Sequence, residues 1–475
     1  MSLNRAIAHN TLIQIIGKAI STLLGMLALA VMTRTLGAEK IGWYVTATGF
    51  LQFIGILSDF GFTVTSSKML AEPGLDRNKV LNTIFTWRFL SALLFNGLAP
   101  IIILFFPYNA TIKIAVAVLS ISFFASALIQ VFTGYYRERL KMLLVTIGDV
   151  LSRVILVAGV SLAAHEAWGF LPIMVVITLA SVISTLYVWR TIHGIKLHID
   201  WAVSRIFWRK MWPTAVSTMS NACYLQADRV ILPLFVAQRL VGFYGVAYRV
   251  LDVVTQIAAL LMGLVMPQVT FSWSRNMLGE FKKRYQLGFN LLAMILLPAS
   301  AGIFVLATPI MRWIFGPDFS NAGVVLRWLS ISILGTCFGM IFGHIALAID
   351  RQKETMWVYV SDAIFSVIAY LYFIAHYGWY GAIGVTIFSE FYAGFFLTLL
   401  TIRYSHVRPD MLPLIKILLA SLIMALMLYL VQPLSLFLSI LLGTIVYAAL
   451  ILLFGVTSIQ TLKELLPQRN VATNT

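Results

Sequence analysis

Charge, sulfur and catalytic side chains are scarce in this 475-residue chain. Charged residues make up 11% of it, against roughly 25% in an ordinary soluble domain, so a water-facing globular fold is excluded. The only cysteines, Cys223 and Cys337, sit in separate apolar stretches, which rules out a disulfide framework or a zinc cluster, and no metal site is expected. No glycine-rich loop ending in Gly-Lys-Ser/Thr occurs, so the chain cannot itself spend ATP. The polar breaks between apolar runs are too short for a folded domain. His165, Glu166 and His376 are too sparse for acid–base chemistry, and the chain is expected not to be an enzyme.

What remains is apolar: 60% of residues, with a mean hydropathy of +0.91. Runs of about 20 residues, each enough to cross roughly 30 Å of hydrocarbon, recur from end to end. They predict an all-α integral membrane protein with fourteen spans, near 11–32, 41–63, 82–106, 112–133, 143–164, 168–189, 213–236, 241–266, 286–309, 324–347, 356–375, 380–402, 412–431 and 434–454. The first should be a retained helix, because no small-residue cleavage site follows a short apolar core. The net charge of +16 is carried mostly by alternate connections. By the positive-inside rule this places both termini in the cytoplasm of a plasma (inner) membrane protein. The basic excess is thus a topology signal, and no nucleic-acid partner is expected. The longest connection carries Ile206-Phe207-Trp208-Arg209-Lys210-Met211-Trp212, which suits an amphipathic helix lying on the cytoplasmic surface.

A repeat runs through the chain. Ile41-Gly42-Trp43-Tyr44-Val45-Thr46-Ala47 aligns with Val241-Gly242-Phe243-Tyr244-Gly245-Val246-Ala247. Gly148-Asp149 aligns with Ser361-Asp362, and Trp168-Gly169 with Gly378-Trp379-Tyr380-Gly381, each pair at matching places in the order of spans. Spans 1–6 therefore map onto spans 7–12 in the same orientation, a plan used by transporters. The expected organisation is a six-helix lobe over 1–190, a cytoplasmic amphipathic linker over 191–212, a second six-helix lobe over 213–403, and two extra helices with a cytoplasmic tail over 404–475.

Asp59-Phe60-Gly61-Phe62, then Phe315-Gly316-Pro317-Asp318-Phe319 with Ala322 and Leu326, and Tyr377-Gly378-Trp379-Tyr380-Gly381-Ala382-Ile383-Gly384 together resemble the polysaccharide transporter family. These are oligosaccharide flippases of the superfamily that also holds lipid II flippases and multidrug and toxin extruders. The resemblance implies a V-shaped carrier of two parallel lobes that moves an undecaprenyl-pyrophosphate-linked oligosaccharide from the cytoplasmic to the outer leaflet by alternating access, for assembly of cell-surface polysaccharide. Membrane lipids, a polysaccharide polymerase and chain-length proteins would be its partners. Gly242-Phe243-Tyr244-x-x-Ala247-Tyr248-Arg249 is similar to the lipid II branch, including its cavity arginine, whereas Leu24-Gly25 stands where that branch carries an arginine–aspartate pair. A lipid II flippase, a cation-coupled drug extruder and a non-transporting scaffold of a glycan-assembly complex are the alternatives.

Ionisable groups at membrane depth cost roughly 2.5–3.5 kcal/mol each on insertion scales, so each needs a partner or a watery site. Lys18, Arg88, Arg153, Arg229 and Arg249 are the candidate cargo-binding cations. Lys18 and Arg88 are also close enough to the expected cytoplasmic surface to snorkel. Asp149 and Arg153, four apart on one helix face, read either as an ion pair or as a phosphate contact with its orienting acid. Arg229 and Arg249 fall in one layer with Asp228 and Asp252, which predicts a four-residue network joining spans 7 and 8. Glu390 and Asp362 lack a local cation and are the candidates for coupling to a proton or sodium gradient. No cofactor is expected.

Overall fold

Inside hydrocarbon a backbone must close its own hydrogen bonds, which leaves the helix as the form for isolated apolar runs. The computed structural model describes residues 3–70, 76–192, 195–431 and 434–456. The expected tail beyond 456 lies outside the described residues. Among the described residues every long element is a helix.

The first half holds α1 (Leu3–Asp59), α2 (Phe62–Leu70), α3 (Arg77–Ile102), α4 (Ala110–Glu138), α5 (Met142–His165) and α6 (Phe170–Thr191). The second holds α7 (Trp201–Phe235), α8 (Gln238–Ser274), α9 (Leu278–Phe315), α10 (Ala322–Leu329), α11 (Ser332–Ala348), α12 (Gln352–Tyr377) and α13 (Trp379–Ser405). Two more, α14 (Leu412–Leu430) and α15 (Leu436–Leu453), pack against α9. Within each half the helices pack mainly on one another, and α1 against α8 is the principal contact between halves.

Local chemistry sets the ends. The side chains of Asp76, Asn109, Asp200 and Ser435 each accept from backbone N–H groups in the first turn of the helix that follows. Asp200 lies outside the membrane spans, and the N–H of Val203 holds its carboxyl below the usual aspartate range. Two expected spans, 11–32 and 41–63, are run together in α1 and divided by Gly37 at φ 73°, ψ 173°. That conformation is open to glycine and closed to most side chains.

Among the described residues eleven helices are long and apolar enough to cross a membrane, twelve when the bent pair α10–α11 is taken as one span. The fourteen expected differ from this count at two helices, α1 and α7. The 57-residue α1 counts once although it holds two expected spans, and α7 carries Ser217, Asn221, Gln226, Asp228 and Arg229 along its length. Large apolar side chains such as Leu23, Leu94, Phe105 and Phe437 stand exposed on the outer faces, where hydrocarbon is the matching solvent.

The amphipathic stretch expected on a surface is helical and forms the first part of α7. Val203, Phe207 and Met211, one per turn, are buried against Phe62 of α2 and Val80, Ile84 and Phe85 of α3. Trp201 and Trp212 face outward. The strand of chain before it is tied along α3: Lys196 N–H donates to Asn82 Oδ1 at 3.0 Å, His198 N–H to Thr86 Oγ1 at 2.9 Å and Asp200 N–H to Thr83 Oγ1 at 3.1 Å. The connection is therefore fastened to the first half.

Candidate functional site

The cavities between the two halves are where the buried polar side chains collect. One, of about 390 Å³, is walled by α1, α4, α5, α6 and α8. Lys18 from α1, Arg153 from α5 and Arg249 from α8 all line it, with Asp252 as the one acid. Gly25 faces the Arg153 guanidinium, where an added Cβ would come to 3.6 Å of Nη1. Arg153 Nε is buried without a hydrogen-bond partner. Three cations against one carboxylate, in a space that ligand-sized molecules fill, make a site for an anion.

Asp252 is shared. Its Oδ1 lies 3.3 Å from Arg229 Nη2 and its Oδ2 3.6 Å from Arg249 Nη1. Arg229 also stacks on the Tyr248 ring at 4.5 Å. Three of the four groups predicted to form a network joining α7 and α8 therefore do so. Asp228 does not. It is fully buried and accepts instead from Tyr244 Oη at 2.7 Å. Tyr244, Tyr248 and Tyr370 in turn surround Thr386 Oγ1 at 3.4, 3.4 and 2.9 Å.

Of the two readings of Asp149 and Arg153 the ion pair is absent among the described residues, and the snorkelling reading of Arg88 needs correction. Asp149 and Arg153 make no ion pair among the described residues, because Arg153 turns toward the cavity rather than along its own helix. Arg88 does not snorkel. It is 2% exposed and donates to the Ser58 carbonyl and to Gln130 Oε1, both at 2.7 Å, with Asp59 Oδ1 at 3.2 Å. It ties the end of α1 to α3 and α4.

A second cavity, of about 360 Å³, lies inside the second half and is lined by Arg229, Asp252, Thr336, Tyr370, Thr386 and Glu390, among others. Glu390 also lines a third, together with Thr336 and Tyr359. Asp362 is fully buried behind it, accepting from Ser366 Oγ at 3.0 Å and Ser389 Oγ at 2.8 Å, with Oδ2 unpartnered. A fourth cavity, of about 460 Å³ between α1, α3, α4 and α7, is lined by uncharged amides and hydroxyls as well as the Arg88–Asp59 pair. These amides are not among the candidates that charge singles out in the sequence; polar side chains inside otherwise apolar spans are the signal that marks them.

The family model for polysaccharide biosynthesis proteins matches residues 7–270, over half of the chain. The chain belongs to this family. The probable low-salt glycan biosynthesis flippase Agl15 of Haloferax volcanii is 21% identical over 381 residues, 77% of each chain. The probable flippase AglR of the same organism is 24% identical over 192 residues, 40% of each. Among solved structures, the lipid II flippase MurJ in an inward closed conformation superposes with a TM-score of 0.76 at 15% identity, covering 92% of this chain and 98% of that one. An inward-facing multidrug transporter of the MOP superfamily gives 0.65 at 15% identity over 82% and 98%. The fold of this family member is therefore the two-lobed helical fold of that superfamily, with two further helices at the C-terminal end.

Proposed function

We propose that this protein is a flippase of the plasma membrane that carries an undecaprenyl-pyrophosphate-linked oligosaccharide from the cytoplasmic to the outer leaflet for surface polysaccharide assembly. The observation that carries the reading is the convergence of Lys18, Arg153 and Arg249, from three helices, on one cavity between the halves. A pyrophosphate has the charge and the acceptor oxygens to engage three cations at once. A cationic drug would meet repulsion there. The family, and relatives named as flippases in glycan biosynthesis, support the same reading. In it the chain catalyses no reaction and hands its cargo to a polymerase with its chain-length proteins. The lobes, 1–190 and 213–403, rock about the cavity, joined by the linker.

The second half would supply the driving force, with Glu390 and Asp362 taking up a proton or sodium ion from the cavities beside them. One experiment covers both parts. Proteoliposomes are loaded with a fluorescent polyprenyl-pyrophosphate oligosaccharide, and its movement between leaflets is followed under imposed proton and sodium gradients. A charged hydrogen bond to phosphate is worth roughly 1.5–3 kcal/mol, so Arg249→Ala should lower the rate at least about tenfold at unchanged protein level in the membrane. Glu390→Gln should leave the protein folded and remove the response to the gradient. Full activity of Arg249→Ala would refute the cation site, and an unchanged gradient response in Glu390→Gln would remove that acid from coupling.

A further inference from the structure

The cavity between α1, α3, α4 and α7 differs in kind from the cationic one it adjoins. The two share Gln52, Phe123 and Ser126 in their linings, so a ligand anchored in the first extends naturally into the second. The charged groups in this second cavity, Arg88 and Asp59, are paired with each other. The rest of its polar lining is uncharged.

Three buried oxygens among that lining have no hydrogen-bond partner: Ser58 Oγ and two amide acceptors. Asn96 is 3% exposed, its amide nitrogen donating to the Ala92 carbonyl at 2.9 Å and its Oδ1 left unpaired. Gln226, on α7, is half-buried and also lines the cavity inside the second half; its Oε1 is unpaired. A buried carbonyl oxygen without a donor costs about 1–3 kcal/mol, and both of these side chains line one hollow large enough for a ligand of more than one ring. What they call for is a neutral molecule rich in hydroxyl or amide donors. Neither a phosphate, which carries acceptors, nor a polyprenyl chain, which carries no donor, would satisfy them.

We infer that this cavity is the glycan subsite: Asn96 and Gln226 accept hydrogen bonds from the sugars nearest the pyrophosphate while Lys18, Arg153 and Arg249 hold the pyrophosphate itself. The inference rests on the flippase reading above and adds to it the place where the cargo's sugar is recognised. Charge and sugar are then read by different helices. Selectivity among glycans resides in α3 and α7, and tolerance of any pyrophosphate-linked lipid resides in α1, α5 and α8.

The test uses full-length protein in proteoliposomes with two fluorescent probes, polyprenyl pyrophosphate bearing an oligosaccharide and polyprenyl pyrophosphate bearing none. Asn96→Leu and Gln226→Leu keep side-chain size and remove the acceptor. Each should raise the concentration needed for half-maximal transport of the glycosylated probe about 5–10-fold, the worth of one hydrogen bond to a buried acceptor, and leave the sugar-free probe unchanged. The sugar-free probe also reports that each variant is folded. Equal loss on both probes, or no loss on either, would overturn the subsite while leaving the flippase intact. A wild-type protein that moves neither probe would overturn the flippase reading and this one with it, and Arg249→Ala, which should impair both probes alike, tells the anchor apart from the subsite.

Discussion

Asp252 accepts from Arg229 at 3.3 Å and forms an ion pair with Arg249 at 3.6 Å, and its position shows how far single residues can be read from sequence. A charge inside an apolar run stands out because it costs several kcal/mol to bury, so all ten candidate groups were visible as anomalies. Their partners were not. Arg249 and Asp252 meet because i, i+3 is a fixed helical spacing. Asp149 and Arg153 have an equally good spacing and do not meet. Arg88 gives the clearest test of a residue whose role the structure changed. With its guanidinium 2% exposed and shared among the Ser58 carbonyl, Gln130 and Asp59, it stabilises the fold. Removing one member of a buried pair costs roughly 3–5 kcal/mol, and because Asp59 is partly exposed, Arg88→Ala should fall near the lower figure. Thermal unfolding in detergent should show a lowered Tm, and a Tm equal to that of wild type would place Arg88 back among cargo-facing cations.

At the scale of elements, the repeated Gly-aromatic motif acquires a meaning that its alignment did not reveal. Gly42 on α1 and Gly242 on α8 face each other across the two halves: a Cβ at Gly42 would overlap the Gln238 carbonyl, and one at Gly242 would overlap the Ala38 carbonyl and stand 3.0 Å from Gly42 N. Gly49 approaches the Arg229 carbonyl in the same seam, where an added Cβ would be at 2.8 Å, and Thr46 Oγ1 donates to Gln238 Oε1 at 2.7 Å. Backbone touches backbone, so this end of the cavity is shut. Overpacking a tight contact costs about 1–3 kcal/mol, enough to shift a two-state equilibrium about 5–150-fold. Gly242→Val should therefore favour conformers open at this end. In a background without Cys223 and Cys337, a cysteine replacing Gln52 should then react faster with an impermeant maleimide added from that side. Gly263→Ala, with open space around it, is the control, and equal reactivity in the two variants would show that the seam does not gate. Helix positions and the repeat were legible because hydropathy and spacing are local. The seam and the amide-lined cavity depend on which helix faces which, and no period in one helix encodes that.

For the whole molecule, the two ends of the bundle differ in charge. One end gathers Gly37, Gln238 and the α9–α10 turn, with Arg34 Nη2 donating to the Trp313 carbonyl at 2.7 Å and Phe319 packed on Phe243 at 5.7 Å. The other carries the linker laid along α3 and the start of α7, where Arg205, Arg209 and Lys210 lie. Lysine and arginine concentrate at this second end, and their excess holds such loops in the cytoplasm during insertion. The expected location of both termini rests on that one assignment. A cysteine at Leu197, exposed in the linker, should accordingly be labelled by an impermeant reagent only when the cytoplasmic face is accessible, and one at Asn321 only from outside. The two positions lie at opposite ends of the same bundle. Labelling of both from one side would therefore contradict the number of crossings between them, while exchange of the two sides would keep the fold and reverse the direction of transport.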